Sequence, residues 1–236
     1  MSFHGFLLVD KPVGVTSFHI VSRLRKLTQE KRIGFSGTLD PFASGLLIVG
    51  IGRLFTRHLD TFTNMRKTYV ATMKLGESTD TLDCKGTVTE IRPISKSFDD
   101  ISHEIRAAFG QFLGPITQQI PAFSAKKISG QPMYKLARKG KEMTLPFKSV
   151  EIDALTALEA TDPFFTYEIT CSKGTYVRQM SVDLAAAVGE LAYTDQLRRT
   201  VVGPYKVEDA LKLDDFSIES ITTHVFQDLP TQEFAS

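Results

Sequence analysis

The sequence predicts an α+β fold: a mixed, mostly antiparallel sheet with flanking helices. Two observations carry this. Segments of strand period and of helix period follow one another irregularly, without the regular alternation that builds a parallel α/β sheet. No glycine-rich phosphate loop lies between a strand and a helix. With 236 residues, 42% of them apolar, the chain can bury a substantial core.

Taken in order, residues 6–9 are a short apolar run that predicts a buried strand. Thr16 or Ser17 can cap a helix whose apolar face is Ile20, Val21, Leu24 and Leu27. Residues 45–51 predict a strand, and Leu54, Phe55, His58, Leu59 and Phe62 have helical spacing. Residues 67–75 alternate, with Tyr69, Ala71, Met73 and Leu75 on one face, and residues 85–91 are expected to be the partner strand. Phe98, Ile101, Ile105 and Phe109 mark a helix that stops near Gly110. Residues 111–132 are rich in Gly, Pro and polar side chains and are expected to be loop, with a short helix over 134–138. Strands are expected over 148–158 and 164–171, and a helix over 175–188 with Gly189 as its stop. Residues 190–207 predict strand, turn and strand around Gly203-Pro204, and the remainder is weakly patterned. No repeat or low-complexity segment appears.

Composition excludes several classes. No apolar run approaches a membrane span, and no basic segment followed by an apolar stretch opens the chain. Cys84 and Cys171 are far apart and fit reduced thiols, so a cytoplasmic protein is expected. The five histidines are scattered and no Cys/His cluster has zinc spacing, so no metal is expected. The net charge of +1 conceals a segregation. Residues 120–148 hold seven Lys/Arg and one Glu, residues 20–33 hold five and one, and residues 207–236 hold one Lys against seven Asp/Glu. In 120–148 the charges are interleaved with Phe123, Gly130, Tyr134, Gly140 and Phe147, a mixture suited to gripping folded RNA with ammonium groups on phosphates and rings on bases.

The most informative stretch is Gly37-Thr38-Leu39-Asp40-Pro41-Phe42-Ala43-Ser44-Gly45-Leu46-Leu47. Pro41 pushes Asp40 towards an extended conformation, and the apolar run that follows reads as a core strand. A carboxylate is thereby presented in a rigid turn at the rim of that strand. The string resembles the catalytic loop of the TruB family, bacterial tRNA pseudouridine synthases that modify the T-loop uridine at tRNA position 55. Further segments resemble that family in the same order. Residues 5–17 resemble its opening strand and turn, and Lys67-Thr68-Tyr69 its second motif. Residues 121–127 and 134–138 resemble its thumb, Cys171-Ser172-Lys173-Gly174-Thr175-Tyr176-Val177-Arg178 its third motif, and Leu197-Arg198-Arg199-Thr200 a motif near the end of its catalytic domain.

The resemblance implies the pseudouridine synthase fold and an isomerase. The reaction breaks the glycosidic bond, turns the uracil and joins its C5 to the ribose, so no cofactor is needed. By resemblance Asp40 is the nucleophile or base, Tyr69 stacks on the flipped uracil, and Arg178 pairs with Asp40 and keeps it ionised. Tyr176 is then expected near the substrate nucleotide, Leu197 at the border of the uracil pocket, and Lys11 in support of the catalytic loop. The family usually carries a histidine where this chain has Phe35, which can stack or wedge but cannot donate a hydrogen bond. Lys126, Lys127, Lys139 and Lys141 are expected to contact RNA phosphates from a mobile thumb-like insertion, residues 120–148. The expected organisation is a catalytic domain over residues 1–206, followed by a short acidic extension, residues 207–236, with no PUA RNA-binding domain. A monomer acting on the tRNA T-arm without guide RNA or membrane is expected.

Overall fold

A computed structural model describes residues 3–128, 130–140 and 143–229. Their backbone divides into two compact units, residues 1–70 with 197–236 and residues 71–196.

In the first unit, strand β1 (Gly5–Lys11) leads to helix α1 (Ser17–Thr28). Thr16 caps α1, its side chain accepting the His19 amide at 3.1 Å. Strands β2 (Ile33–Ser36) and β3 (Ser44–Ile51) follow, then two short helices, α2 (Arg53–Thr56) and α3 (Leu59–Asn64). Strand β3 pairs antiparallel with both β1 and β2, which explains why nearly every side chain from Gly45 to Ile51 is buried. Ile20, Val21 and Leu24 of α1 pack on Leu7, Val9, Leu47, Val49 and Ile51.

Strand β4 (Lys67–Leu75) runs from the first unit into the second, with Lys67, Tyr69, Ala71, Met73 and Leu75 buried in strict alternation. The second unit continues with β5 (Glu77–Thr79), β6 (Val88–Ile91), α4 (Phe98–Ala108), β7 (Gly114–Gln119), β8 (Lys127–Ile128), β9 (Gln131–Pro132) and α5 (Met133–Ala137). Then come β10 (Phe147–Thr161), β11 (Phe164–Cys171), α6 (Val177–Ala186) and β12 (Ala192–Val202), which returns the chain to the first unit. The strand order in the second unit is β12-β4-β11-β10-β7. The expected α+β class with a mixed, mostly antiparallel sheet is present.

Two expectations are corrected here. Residues 111–132 are not all loop: Gly114–Gln119 forms β7, paired antiparallel with Phe147–Ile152. As the outermost strand it tolerates Pro115 and needs few apolar residues, which hid it in the sequence. Val88–Ile91 does not partner residues 67–75; it pairs with Glu77–Thr79 in a separate two-stranded ribbon whose β6 side chains are all exposed.

The last residues of the first unit are more structured than their pattern suggested. Strand β13 (Tyr205–Lys206) folds back on β12, β14 (Leu211–Lys212) pairs parallel with β1, and helix α7 (Ile218–His224) buries Ile221. Phe226 then bridges Phe6 through two backbone hydrogen bonds of 2.7 and 3.0 Å and stacks on Tyr205. Single anchors widely spaced in sequence carry no periodicity, so a polar composition concealed them.

Candidate active site

Asp40 sits in the turn between β2 and β3, half-buried, and that turn is tied down on several sides. Ser17 Oγ accepts the Leu39 amide at 3.0 Å and donates to the Leu39 carbonyl at 3.1 Å. The Gly14 amide donates to the Pro41 carbonyl at 2.7 Å, and the Ala43 amide to the Asp40 carbonyl at 3.1 Å. Lys11, 0% exposed, donates through Nζ to the carbonyls of Pro12 and Val15 at 2.9 Å and to that of Ala43. Burial lowers the Lys11 ammonium to about 8, with the Asp40 carboxylate pulling it up and Arg199 pushing it down. Lys11 therefore clamps residues 11–15 to the turn that carries Asp40.

Two arginines beyond the sequence expectations complete this framework. Arg199, 1% exposed, donates from Nε to the Leu46 carbonyl at 2.7 Å and from Nη2 to the Gly37 carbonyl at 3.0 Å, joining the start of the turn to the strand that follows it. Arg198 meets Asp10 in a two-pronged pair of 3.0 and 2.8 Å and reaches Ser44 Oγ at 3.4 Å. Basic residues on alternate faces of an apolar strand were the available signal. Lys67, also buried, donates to the carbonyls of Phe62, Thr63 and Met65 at the end of α3. It is thus a helix-end anchor for the strand carrying Tyr69.

Among the other residues of the first unit, Tyr69 lies on the buried face of β4 with 9% of its surface exposed, and Leu197 on β12 is similarly buried. Phe35 pairs in register with Val49 and packs in part against the α1 cluster.

In the second unit, Arg178 occupies the second position of α6, 4% exposed. Nη1 donates to the Thr81 carbonyl and lies 3.5 Å from Asp83 Oδ2, while Nη2 donates to the Phe123 carbonyl at 2.9 Å. Asp83 is itself held by Thr81 Oγ1 at 2.8 Å and the Lys85 amide at 3.0 Å. Gln118, 1% exposed, clasps the backbone of Tyr176: its Oε1 accepts the Tyr176 amide at 2.8 Å and its Nε2 donates to the Tyr176 carbonyl at 3.1 Å. Sequence reasoning missed Asp83 and Gln118, one in a polar turn and the other in the segment expected to be loop. The basic insertion folds around Met133, fully buried, whose amide donates to the Lys126 carbonyl. Lys126, Lys127 and Lys139 are exposed there, and Lys141 lies outside the described residues. Among the described residues no group of His, Cys, Asp and Glu side chains could hold a metal ion, and no helix is long and apolar enough to cross a membrane.

Comparison with known proteins fits this arrangement. Residues 25–177 match the family described as TruB family pseudouridylate synthase, N-terminal domain. Over 210 residues the chain is 42% identical to a protein of Burkholderia mallei (strain NCTC 10247) named tRNA pseudouridine synthase B, covering 89% of this chain and 68% of the relative. A protein of the same name from Caldicellulosiruptor saccharolyticus is 38% identical over 218 residues, covering 92% and 74%. A chain in the crystal structure of a Cbf5–Nop10–Gar1 complex superposes with a TM-score of 0.66 at 27% identity, covering 90% of this chain and 53% of that one, so this chain spans about half its length. With this agreement over most of its length, the chain belongs to the TruB family of pseudouridylate synthases, isomerases that convert uridine to pseudouridine.

Proposed function

We propose that this protein isomerises a uridine of tRNA to pseudouridine, acting on the T-loop uridine at position 55 with no guide RNA and as a monomer. The observation that carries the reading is the Asp40 turn. Ser17, Lys11 and Arg199 spend buried hydrogen bonds on fixing one carboxylate-bearing loop, in a chain whose relatives are named tRNA pseudouridine synthase B. A carboxylate so fixed is suited to act as nucleophile or base without reorganising during the reaction.

In this reading Asp40 performs the chemistry and Arg178 is its counter-ion. The uridine leaves the T-loop, Tyr69 stacks on the uracil, and Leu197 and Tyr176 border it. Phe35 takes the place of the family's usual histidine as an apolar wedge. Lys126, Lys127, Lys139 and Lys141 bind phosphates along the T-arm from the basic insertion, which closes on the RNA. No cofactor takes part, because the rearrangement is redox-neutral and transfers no outside group.

The test is incubation of the purified protein with an unmodified tRNA transcript, followed by mapping of pseudouridine. Conversion at the T-loop uridine without any other macromolecule is the expected result; absence of pseudouridine from the T-loop overturns the reading. The likeness to a chain of the Cbf5–Nop10–Gar1 complex favours a second reading, in which modification needs partner proteins. Turnover by the isolated chain separates the two.

A further inference from the structure

Gln118 stands on β7, the outermost strand, with its side chain 1% exposed. Both ends of its amide go to the backbone of one residue, Tyr176: Oε1 accepts the Tyr176 amide at 2.8 Å, and Nε2 donates to the Tyr176 carbonyl at 3.1 Å. The first of these groups belongs to the peptide before Tyr176, the second to the peptide after it. Peptides are planar, so the two bonds together hold the two soft torsions between them, at φ −97° and ψ 101°. Those torsions set the direction of the Cα–Cβ bond from which the Tyr176 ring hangs. The Tyr176 carbonyl already accepts the Met180 amide at 3.1 Å, the first hydrogen bond of α6. The bond from Gln118 Nε2 is therefore not needed to pair a buried carbonyl; what it adds is orientation.

Tyr176 is half-buried, whereas Val177 to Ser181 are buried, so among these residues at the start of α6 it is the one with a side chain open to a ligand. The strand that holds it is also the strand that feeds the basic insertion. Just past the end of β7 the Ile120 amide donates to the Pro146 carbonyl at 2.9 Å, closing the root of the insertion. Further on, the Phe123 carbonyl accepts Arg178 Nη2 at 2.9 Å. One segment thus holds residues 176 and 178, the first by a side-chain amide and the second by its backbone.

We propose that Gln118 is a positioning residue for the isomerisation: it holds Tyr176 in the orientation in which its ring meets the substrate nucleotide. This rests on the reading of Tyr176 as a residue bordering the uracil, and adds Gln118 as the group through which the root of the basic insertion acts on that contact.

Single-turnover pseudouridine formation on an unmodified tRNA transcript is measured for the native chain, Gln118→Met, Tyr176→Ala and the double variant, each corrected for its folded fraction by circular dichroism. Gln118→Met keeps the length of the side chain and loses both bonds. It should slow the reaction roughly 10–100-fold while Kd for the transcript stays within about twofold, the mark of a misaimed group rather than a lost one. The double variant should be no slower than the slower single variant, because Gln118 acts through Tyr176. Effects that multiply overturn the proposal, as does a native rate in folded Gln118→Met. Gln118→Glu keeps the test open if the methionine variant does not fold. A protonated carboxyl can donate and accept as the amide does, and an ionised one can only accept, so the rate of Gln118→Glu relative to native should fall as pH rises. A profile parallel to the native one overturns the proposal. The chain has no tryptophan, so Tyr176→Trp supplies a single fluorescent reporter. Its anisotropy should fall when Gln118→Met is added; equal anisotropy with and without Gln118 overturns the proposal as well. Failure of the functional reading is distinguishable, because it would appear as missing pseudouridine in the native chain while the anisotropy still reports whether Gln118 holds residue 176.

Discussion

Gly45 lies directly against the backbone of Arg199. The two face each other in the parallel pairing of β3 with β12, and a β-carbon on Gly45 would overlap the Arg199 carbonyl oxygen. Gly45 also has φ +105°, so glycine is required there both for conformation and for space. This contact sets where β3 begins, and hence where the turn carrying Asp40 ends.

Gly45→Ala should therefore cost more than the roughly 1–3 kcal/mol of a side chain held at positive φ, since backbone must also move. Urea unfolding should show the loss, and pseudouridine formation should fall even in the fraction that remains folded. A Gly45→Ala protein with native stability would show that β3 and β12 slide apart freely.

Asp40→Asn preserves the size of the side chain and all the backbone hydrogen bonds of the turn, so fold and RNA affinity should stay near native. Isomerisation should become undetectable. Substantial turnover by a sequence-verified Asp40→Asn protein would remove Asp40 from the chemistry.

Arg178→Ala should damage turnover more than RNA binding. It strips the Thr81 and Phe123 carbonyls and leaves the buried Asp83 without its guanidinium, a loss of the kind that costs about 3–5 kcal/mol. Arg178→Lys should rescue little, because a single ammonium cannot serve two carbonyls and a carboxylate in the fork geometry of arginine. Comparison of kcat and KM for both variants checks this.

Lys11→Met should destabilise by about 1–3 kcal/mol, since the carbonyls of Pro12, Val15 and Ala43 lose a buried donor. The pH dependence has a definite sign. Lys11 is lowered from 10.5 to about 8, so from about pH 8 to about 10.5 the unfolded chain binds more protons, and this group makes stability rise with pH. Urea midpoints across that range should lose this component in Lys11→Met.

Deletion from Gln227 onward spares the Phe6–Phe226 bridge and should leave folding and single-turnover isomerisation nearly unchanged, with RNA affinity equal or slightly higher at low salt once Asp228 and Glu233 are gone. Deletion from Ser217 onward removes α7 and Phe226, uncovers Phe6, and should collapse the first unit. Circular dichroism and filter binding on both truncations check the contrast.

The sequence by itself determined the elements with a strong local period. Alternation fixed β4, helical spacing with the Thr16 cap fixed α1, and the 37–47 string with the later motifs identified the family, because each is a local pattern of adjacent residues. Tertiary structure decided what depends on partners far along the chain. Gly114–Gln119 is a strand because Phe147–Ile152 supplies its hydrogen bonds, and its polar side chains are tolerated on an edge. Arg199 is buried because the carbonyls of Gly37 and Leu46 surround its guanidinium. Gln118 has its role because the Tyr176 backbone is folded against it. A charged or amide side chain announces its chemistry in sequence but not its partner, and for a buried polar group the partner is what decides its function.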